Sequence, residues 1–446
     1  MNIGIVTTWF ERGAAMVSRA YLETLSDEHS VFIYARGGEE QAIGDPHWDA
    51  PYVTWAKIPR YPQLGPIEWS DLRAWVSDRA LDVIIFNEER QWDVILKARK
   101  LGPLIGAYVD YYTHETVPFF QLCDFLLCNT SRHYSVFGEH PQALYIPWGT
   151  DCGLFQPQER PEDQDGVVFF HSAGMGGVNL RKGTDILVRA FQNVTGAARL
   201  AIHSQVPVER YGPVTEIIRA DTRIEFIEAT VGAPGLYHRG DVYVYPTRLE
   251  GIGLSVPEAL ACGLPVITTD CAPMNEFVQD GRTGVLVDVE RYQEREDGYY
   301  WPESICSEDA LVEAMQTYVD DPDLAAAHAA AARAYALQHL DWRKNSDELG
   351  TQLRSLGRHS PRRSLVRRVR RYERVRASPH AMGLAFTAHG HQDSALVRRY
   401  LPVGVWNDPT WLQNRGVWSI AAQALVGYRV SSALRKMAGR LCLPSL

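Results

Sequence analysis

The chain has 446 residues, 46% hydrophobic and 22% charged, with 7 cysteines and a formal net charge of −9. That length suits two domains with separate cores, and the composition excludes a disordered or disulfide-rich chain. No Cys/His array has metal-ligand spacing, no apolar run reaches the roughly 18–20 residues of a spanning helix, and Met1 leads straight into Asn-Ile-Gly-Ile-Val without a signal-type apolar region. These features predict a cytoplasmic protein with reduced thiols.

In chain order, short runs rich in Val, Ile, Phe and Tyr predict strands at 2–8, 30–35, 52–57, 82–87, 103–109, 125–128 and 143–147. Helical segments, for example 14–26, 68–80 and 131–138, lie between most of them. A polar, Pro-containing stretch at 156–166 reads as an interdomain linker. Alternation resumes with strands at 167–172, 199–203, 224–228, 242–245, 265–268 and 284–287, and helices at 183–193, 208–220, 255–262, 308–319 and 323–340. Apolar strands alternating with helices predict parallel sheets covered on both faces. The expected architecture is α/β: two tandem doubly wound, Rossmann-like domains at 1–155 and 166–340, facing a cleft. Residues 341–357 are expected to cross back to the first domain, and 358–446 to form an Arg-rich helical extension.

The segment Tyr245-Pro-Thr-Arg-Leu-Glu250-Gly-Ile-Gly-Leu-Ser-Val-Pro-Glu258 carries the most chemistry. A strand ends, a glycine-bearing loop follows, and a helix begins with Ser255 as the expected N-cap and Pro257 in its first turn. A helix start favours a diphosphate, and Gly251 and Gly253 permit close backbone approach. Carboxylates at Glu250 and Glu258 suit sugar or ribose hydroxyls better than phosphate. Charge on a leaving diphosphate needs cations, and Arg181-Lys182-Gly183 follows the first strand of the second domain.

At these residues the chain resembles retaining GT-B glycosyltransferases of family 4, whose mark is an E-x7-E motif. The resemblance runs from residue 2 to about 355 and is strongest at 241–290, where Asp270-Cys-Ala-Pro-Met-Asn-Glu276 also fits. It implies that Glu250 contacts the transferred sugar, Glu258 binds ribose, and the backbone at Gly253, Leu254 and Ser255 touches the diphosphate. Lys182-Gly183 matches the family's Lys-Gly pair. The Arg usual six residues earlier is replaced by Gly176, which leaves Arg181 as the candidate substitute. Gly13-Ala14 stands where the family has a Gly-Gly loop. The family's histidine after the fifth strand corresponds to Asp110 by strand end and to His114 by residue type; both stay candidates. Trp148 replaces a usual Asn at the hinge.

The implied activity is retaining, metal-independent transfer of a sugar from a UDP- or GDP-type nucleotide sugar to a glycan, lipid-linked or small-molecule acceptor. No cofactor or metal is expected, and Asp163-Gln-Asp165 falls in the polar linker. A non-catalytic sugar-nucleotide-binding scaffold and a GT-B epimerase are the alternatives.

From Arg358 onward, 16 basic side chains face 3 acidic ones, so this part carries +13 and residues 1–357 carry −22. In 358–376, Leu365, Val366, Val369, Tyr372 and Val375 fall on one half of a helix and most arginines on the other. Such a basic amphipathic helix suits an anionic membrane surface, which would make the protein peripheral, or packing on the acidic body or a second copy. The uncharged stretch 416–428 is too short to span a bilayer. No aromatic-interleaved pattern for nucleic acid is present.

Overall fold

The two series of apolar runs form two parallel sheets with helices on both faces. The computed structural model describes residues 1–37, 41–57, 67–159, 166–175, 180–428 and 430. Asp163, Asp165 and Gly176 lie outside the described residues.

The first domain contains β1 (Asn2–Thr7), α1 (Gly13–Ser26), β2 (Ser30–Ala35), β3 (Val53–Trp55), α2 (Trp69–Asp78), β4 (Val83–Asn87), α3 (Trp92–Ala98), β5 (Leu104–Tyr108), β6 (Phe125–Cys128), α4 (Ser131–Phe137) and β7 (Ala143–Tyr145). Its strand order is β3-β2-β1-β4-β5-β6-β7. β1 pairs in parallel with β2 on one side and β4 on the other. β4 is buried along its whole length, which is why it reads as continuous Val-Ile-Ile-Phe rather than as alternation.

The second domain contains β8 (Val167–Gly174), α5 (Thr184–Phe191), β9 (Ala198–Ser204), α6 (Thr215–Ala220), β10 (Ile224–Glu228), β11 (Val242–Tyr245), α7 (Ser255–Ala261), β12 (Val266–Thr269) and β13 (Gly284–Val287). Its order is β10-β9-β8-β11-β12-β13. An antiparallel hairpin of β14 (Val289–Gln293) and β15 (Glu303–Cys306), then α8 (Glu308–Asp320) and α9 (Pro322–His339), complete it. The helix expected at 208–220 is broken: a 3-10 turn covers Val208–Val214 before α6, because Gly212 takes non-helical angles (φ 58°, ψ −122°) ahead of Pro213.

In each sheet the order reverses beside the first strand, between β1 and β4 and between β8 and β11. Ligands of doubly wound sheets gather in the crevice at these reversal points, beyond the carboxyl ends of the strands.

Two short helices, α10 (Trp342–Asn345) and α11 (Leu349–Ser355), return to the first domain. Trp342 donates its indole N–H to the Ala20 carbonyl (3.1 Å), meets Tyr21 edge-on, and lies 4.5 Å from the Trp148 ring. Trp148 is therefore hinge packing.

The extension forms α12 (Arg363–Gly390), α13 (Ser394–Asn407) and α14 (Arg415–Val426). The apolar stripe of α12 is already covered: Val369 is fully buried in the core of the first domain, with Leu365, Val366 and Tyr372 packed around it. Burying one such side chain contributes about 1.5–3 kcal/mol, so this face is held by the body and is not open to a bilayer; Val375 alone of the stripe is exposed. Arg367, Arg370 and Arg374 face solvent. The stretch 416–428 is mostly α14, which docks on the extension's own core through Val417 and Ala424 while Trp418 and Leu425 stay exposed, as does Trp406 on α13. Among the described residues, no helix is long and apolar enough to cross a membrane.

Candidate active site

The loops after β8 and β11 bring Arg181, Lys182 and Glu250 together. One oxygen of Glu250, Oε1, collects four donors: Lys182 Nζ (2.9 Å), Arg181 Nη1 (2.8 Å), the Tyr245 hydroxyl (2.8 Å) and Thr247 Oγ1 (2.9 Å). Lys182 also donates to the Tyr245 hydroxyl. Glu250 is 7% exposed. Burial by itself would raise its pKa, but Arg181 and Lys182 overcome that and hold it at about 2. Burial pushes Lys182 down to about 8 against the pull of Glu250. Glu250 in turn keeps Arg181 firmly protonated.

The Lys-Gly pair has a steric cause. Gly183 sits at φ +74°, and a Cβ there would lie 1.9 Å from the Pro246 carbonyl oxygen. Only glycine lets the lysine loop rest on the Glu250 loop. The two loops are also tied by Arg248, which clasps Asp185 with two bonds of 2.8 Å and donates to the Leu180 carbonyl. Thr247 Oγ1 adds a bond to the Arg181 carbonyl (3.0 Å).

Glu258 lies one turn into α7, and its Oε2 accepts from the Tyr237 hydroxyl at 2.6 Å. Burial raises its pKa to about 7, with Tyr237 and Lys182 opposing. Pro257 stands in the first turn, but Ser255 is not the N-cap: Leu254 holds that position and no side chain caps the helix. The chain is already helical at Leu254 (φ −48°, ψ −36°), so Ser255 falls one residue inside.

The first domain supplies the opposite wall. A Cβ on Gly13 would sit 3.7 Å from Leu254 Cδ1, so the start of α1 faces Gly253-Leu254-Ser255. Ala14 follows, 8% exposed, with its carbonyl bonded to Asn87 Nδ2 (2.8 Å). Asp110 lies against Gly251, where a Cβ would fall 1.9 Å from Asp110 Oδ1. The Asp110 carboxyl is hydrogen-bonded to that of Glu88; burial first, then Glu88, push its pKa well above the ordinary range. Two carboxyls in contact share a proton, because both cannot ionise side by side.

Asp110 and His114 lie in different surroundings. His114 is exposed and stacks on Tyr300 (4.3 Å), outside the group formed by Glu250, Lys182 and Asp110. The histidine at the cleft is His133 on α4. Its Nε2 is 2.9 Å from the Gly251 carbonyl and its Nδ1 is 2.8 Å from the Tyr112 hydroxyl. Burial lowers its pKa to about 3, so it is neutral, donating through Nε2 and accepting at Nδ1. Glu276, from the family-like segment 270–276, accepts from the N–H groups of Ser131 and Arg132 and so caps α4 across the domain boundary.

Sequence reasoning missed Tyr237, Tyr245, Thr247, Arg248, Glu88 and His133. Glu88 had a legible signal: it follows β4, the reversal-point strand. Arg248 was visible as a charge just past the apolar strand 242–245. His133 was hidden, since a histidine in a helix start carries no mark of what it will face.

Two facing doubly wound domains, with the Arg181, Lys182 and Glu250 cluster at the reversal point of the second, define a GT-B fold. Residues 169–297, which hold Lys182, Glu250 and Glu258, match the family model "Glycosyl transferases group 1". The chain is similar to the lipopolysaccharide core biosynthesis mannosyltransferase LpcC of Rhizobium leguminosarum bv. viciae, 29% identical over 245 residues, covering 51% of this chain and 63% of that protein. It is also similar to the GDP-mannose-dependent alpha-(1-6)-phosphatidylinositol monomannoside mannosyltransferase of Mycolicibacterium smegmatis, 28% identical over 246 residues, covering 50% and 59%. The chain thus spans about three fifths of the length of these relatives. Among solved structures, HepE of Anabaena in complex with UDP-glucose aligns with a TM-score of 0.62 at 16% identity, over 80% of this chain and all of that one. WaaG, a glycosyltransferase involved in lipopolysaccharide biosynthesis, aligns at 0.59 and 16% identity over 79% and 100%.

Proposed function

We propose that the protein is a retaining, metal-independent glycosyltransferase that uses a nucleotide-sugar donor. The observation that carries this is the buried Glu250 carboxylate held by Arg181 and Lys182, eight positions before Glu258, at the cleft between the two domains. Lys182 and Arg181 would meet the diphosphate, Glu258 the ribose hydroxyls, and Glu250 the transferred sugar, with Gly13 and Ala14 at the opposite wall. In the reaction the bond from C1 to the phosphate oxygen breaks and a bond from C1 to the acceptor oxygen forms on the same face. The acceptor proton passes to the departing phosphate oxygen. Positioning and electrostatics would supply most of the rate enhancement.

Both curated relatives named above are mannosyltransferases, and the second is GDP-mannose-dependent, so GDP-mannose is the first donor to test and UDP-glucose the second. Glycan and lipid-linked molecules are the proposed acceptor classes. The exposed arginines of α12, with Trp406 and Trp418 open on α13 and α14, support contact with an anionic membrane surface through charge rather than through the covered apolar stripe.

The test is release of free nucleoside diphosphate from GDP-mannose, UDP-glucose and related donors, with and without acceptor glycolipids, in excess EDTA. Product with the donor's anomeric configuration and undiminished turnover in EDTA are expected. An inverted product or a strict divalent-metal requirement would overturn the reading.

A further inference from the structure

The turn between β4 and α3 stands at the reversal point of the first sheet, and its Glu88 pairs with Asp110 beside the Glu250 loop. That turn is not held by its own domain alone. Glu88 has φ +52°, a conformation costly for a side chain larger than glycine, so its surroundings must over-determine it. From inside, Arg36 donates to the Glu88 carbonyl (3.0 Å) and pairs with buried Glu89 (3.6 Å). From outside, the extension grips the same turn. Glu373 Oε1 on α12 accepts the Trp92 N–H (3.0 Å), and Arg376 donates to the Arg90 carbonyl (2.9 Å). Tyr372, next to Glu373 and one turn before Arg376, packs on Phe119 and Phe119 on Trp92, so the ring contacts brace the two polar ones. Arg90 lies over the ring of Tyr111, the neighbour of Asp110 (3.9 Å).

We propose that the C-terminal extension is a working part of the cleft: Glu373 and Arg376 are positioning residues that fix the 88–92 turn and thereby keep Glu88 paired with Asp110 at the Glu250 loop. The clamp is geometric; its consequence for turnover rests on the transferase reading. The chain's single acid in 358–376 is thus used inward, at a helix start that needs an acceptor, while most of the arginines around it face solvent.

Two measurements on the full-length protein test this. The first is amide hydrogen exchange in wild type, Glu373→Ala, Glu373→Gln and Arg376→Ala, with Arg398→Ala, at an exposed position of α13, as the control. Exchange across 88–92 should quicken about tenfold or more in the two alanine variants of the clamp, and stay near wild type in Glu373→Gln, whose amide oxygen still accepts, and in Arg398→Ala. The second is a kinetic cycle with Glu88→Gln. Glu373→Ala should lower kcat about five- to tenfold with donor KM nearly unchanged, and should add little once Glu88 is already Gln. Unchanged exchange in both Glu373→Ala and Arg376→Ala, or kinetic effects that simply multiply, would overturn the proposal. If wild type turns over no nucleotide sugar, the transferase reading fails, and the exchange measurement still decides the clamp.

Discussion

Glu250→Gln keeps the shape of the side chain and removes a negative charge from the point where four donors converge. Two of the four are cations, and replacing their ionised acceptor by a neutral amide oxygen weakens both bonds at a cost of about 2–3 kcal/mol. A second loss follows. The Lys182 pKa of about 8 already includes the pull of Glu250. Without that carboxylate the pull that keeps the buried amine protonated is lost, so more of it is neutral at pH 7 and the cation proposed to meet the diphosphate is weakened. Removing such a stabilising group costs about another 2–3 kcal/mol, which brings the total to about 4–6 kcal/mol and the fall in kcat to about 10³–10⁴. Stability should suffer less, because Lys182 can become neutral rather than remain an unpaired buried charge: about 2 kcal/mol, or about 4–8 °C in the Tm of the second domain. The assay is nucleoside diphosphate release at pH 7 beside thermal unfolding and nucleoside diphosphate titration of the same preparation. Turnover within about threefold of wild type would refute the reasoning. Nucleoside diphosphate affinity should fall as well, because Lys182 carries less charge; unchanged affinity would separate Lys182 from the diphosphate.

Two further outcomes follow from the same geometry. In the proposed roles, Glu258, with its pKa raised to about 7, accepts ribose hydroxyls when ionised, and Lys182, lowered to about 8, meets phosphate when protonated, so kcat/KM should rise with pH through about 7 and fall above about 8. Glu258→Gln should flatten the acidic limb and leave the basic one; an acidic limb that persists unchanged in this variant would remove Glu258 from donor binding. Gly183→Ala should be among the most damaging single-methyl changes in the chain, since the Cβ meets a backbone carbonyl at 1.9 Å and φ is +74°. A loss of about 2 kcal/mol or more is expected with turnover nearly abolished, read by urea unfolding and activity; a fully active, equally stable variant would count against the loop-on-loop contact.

The sequence determined the strands of the two parallel sheets, though not the β14–β15 hairpin, and it singled out Lys182, Glu250 and Glu258 as candidate site residues. Strand runs such as 83–87 and 242–245 are fully buried, and full burial writes itself into composition. Glu250 and Glu258 were legible because a loop and a helix start fix their spacing locally, and Lys182-Gly183 because it follows the first strand of the second domain and matches the pair of the family the chain resembles. What only the tertiary structure decided lies where separate segments meet. It set Asp110 against Gly251 and His114 beside the ring of Tyr300. It brought in His133 from another helix, and it paired Glu88 with Asp110 across neighbouring strands. It turned the amphipathic α12 inward, since periodicity reports that a helix has an apolar face but not what that face will meet.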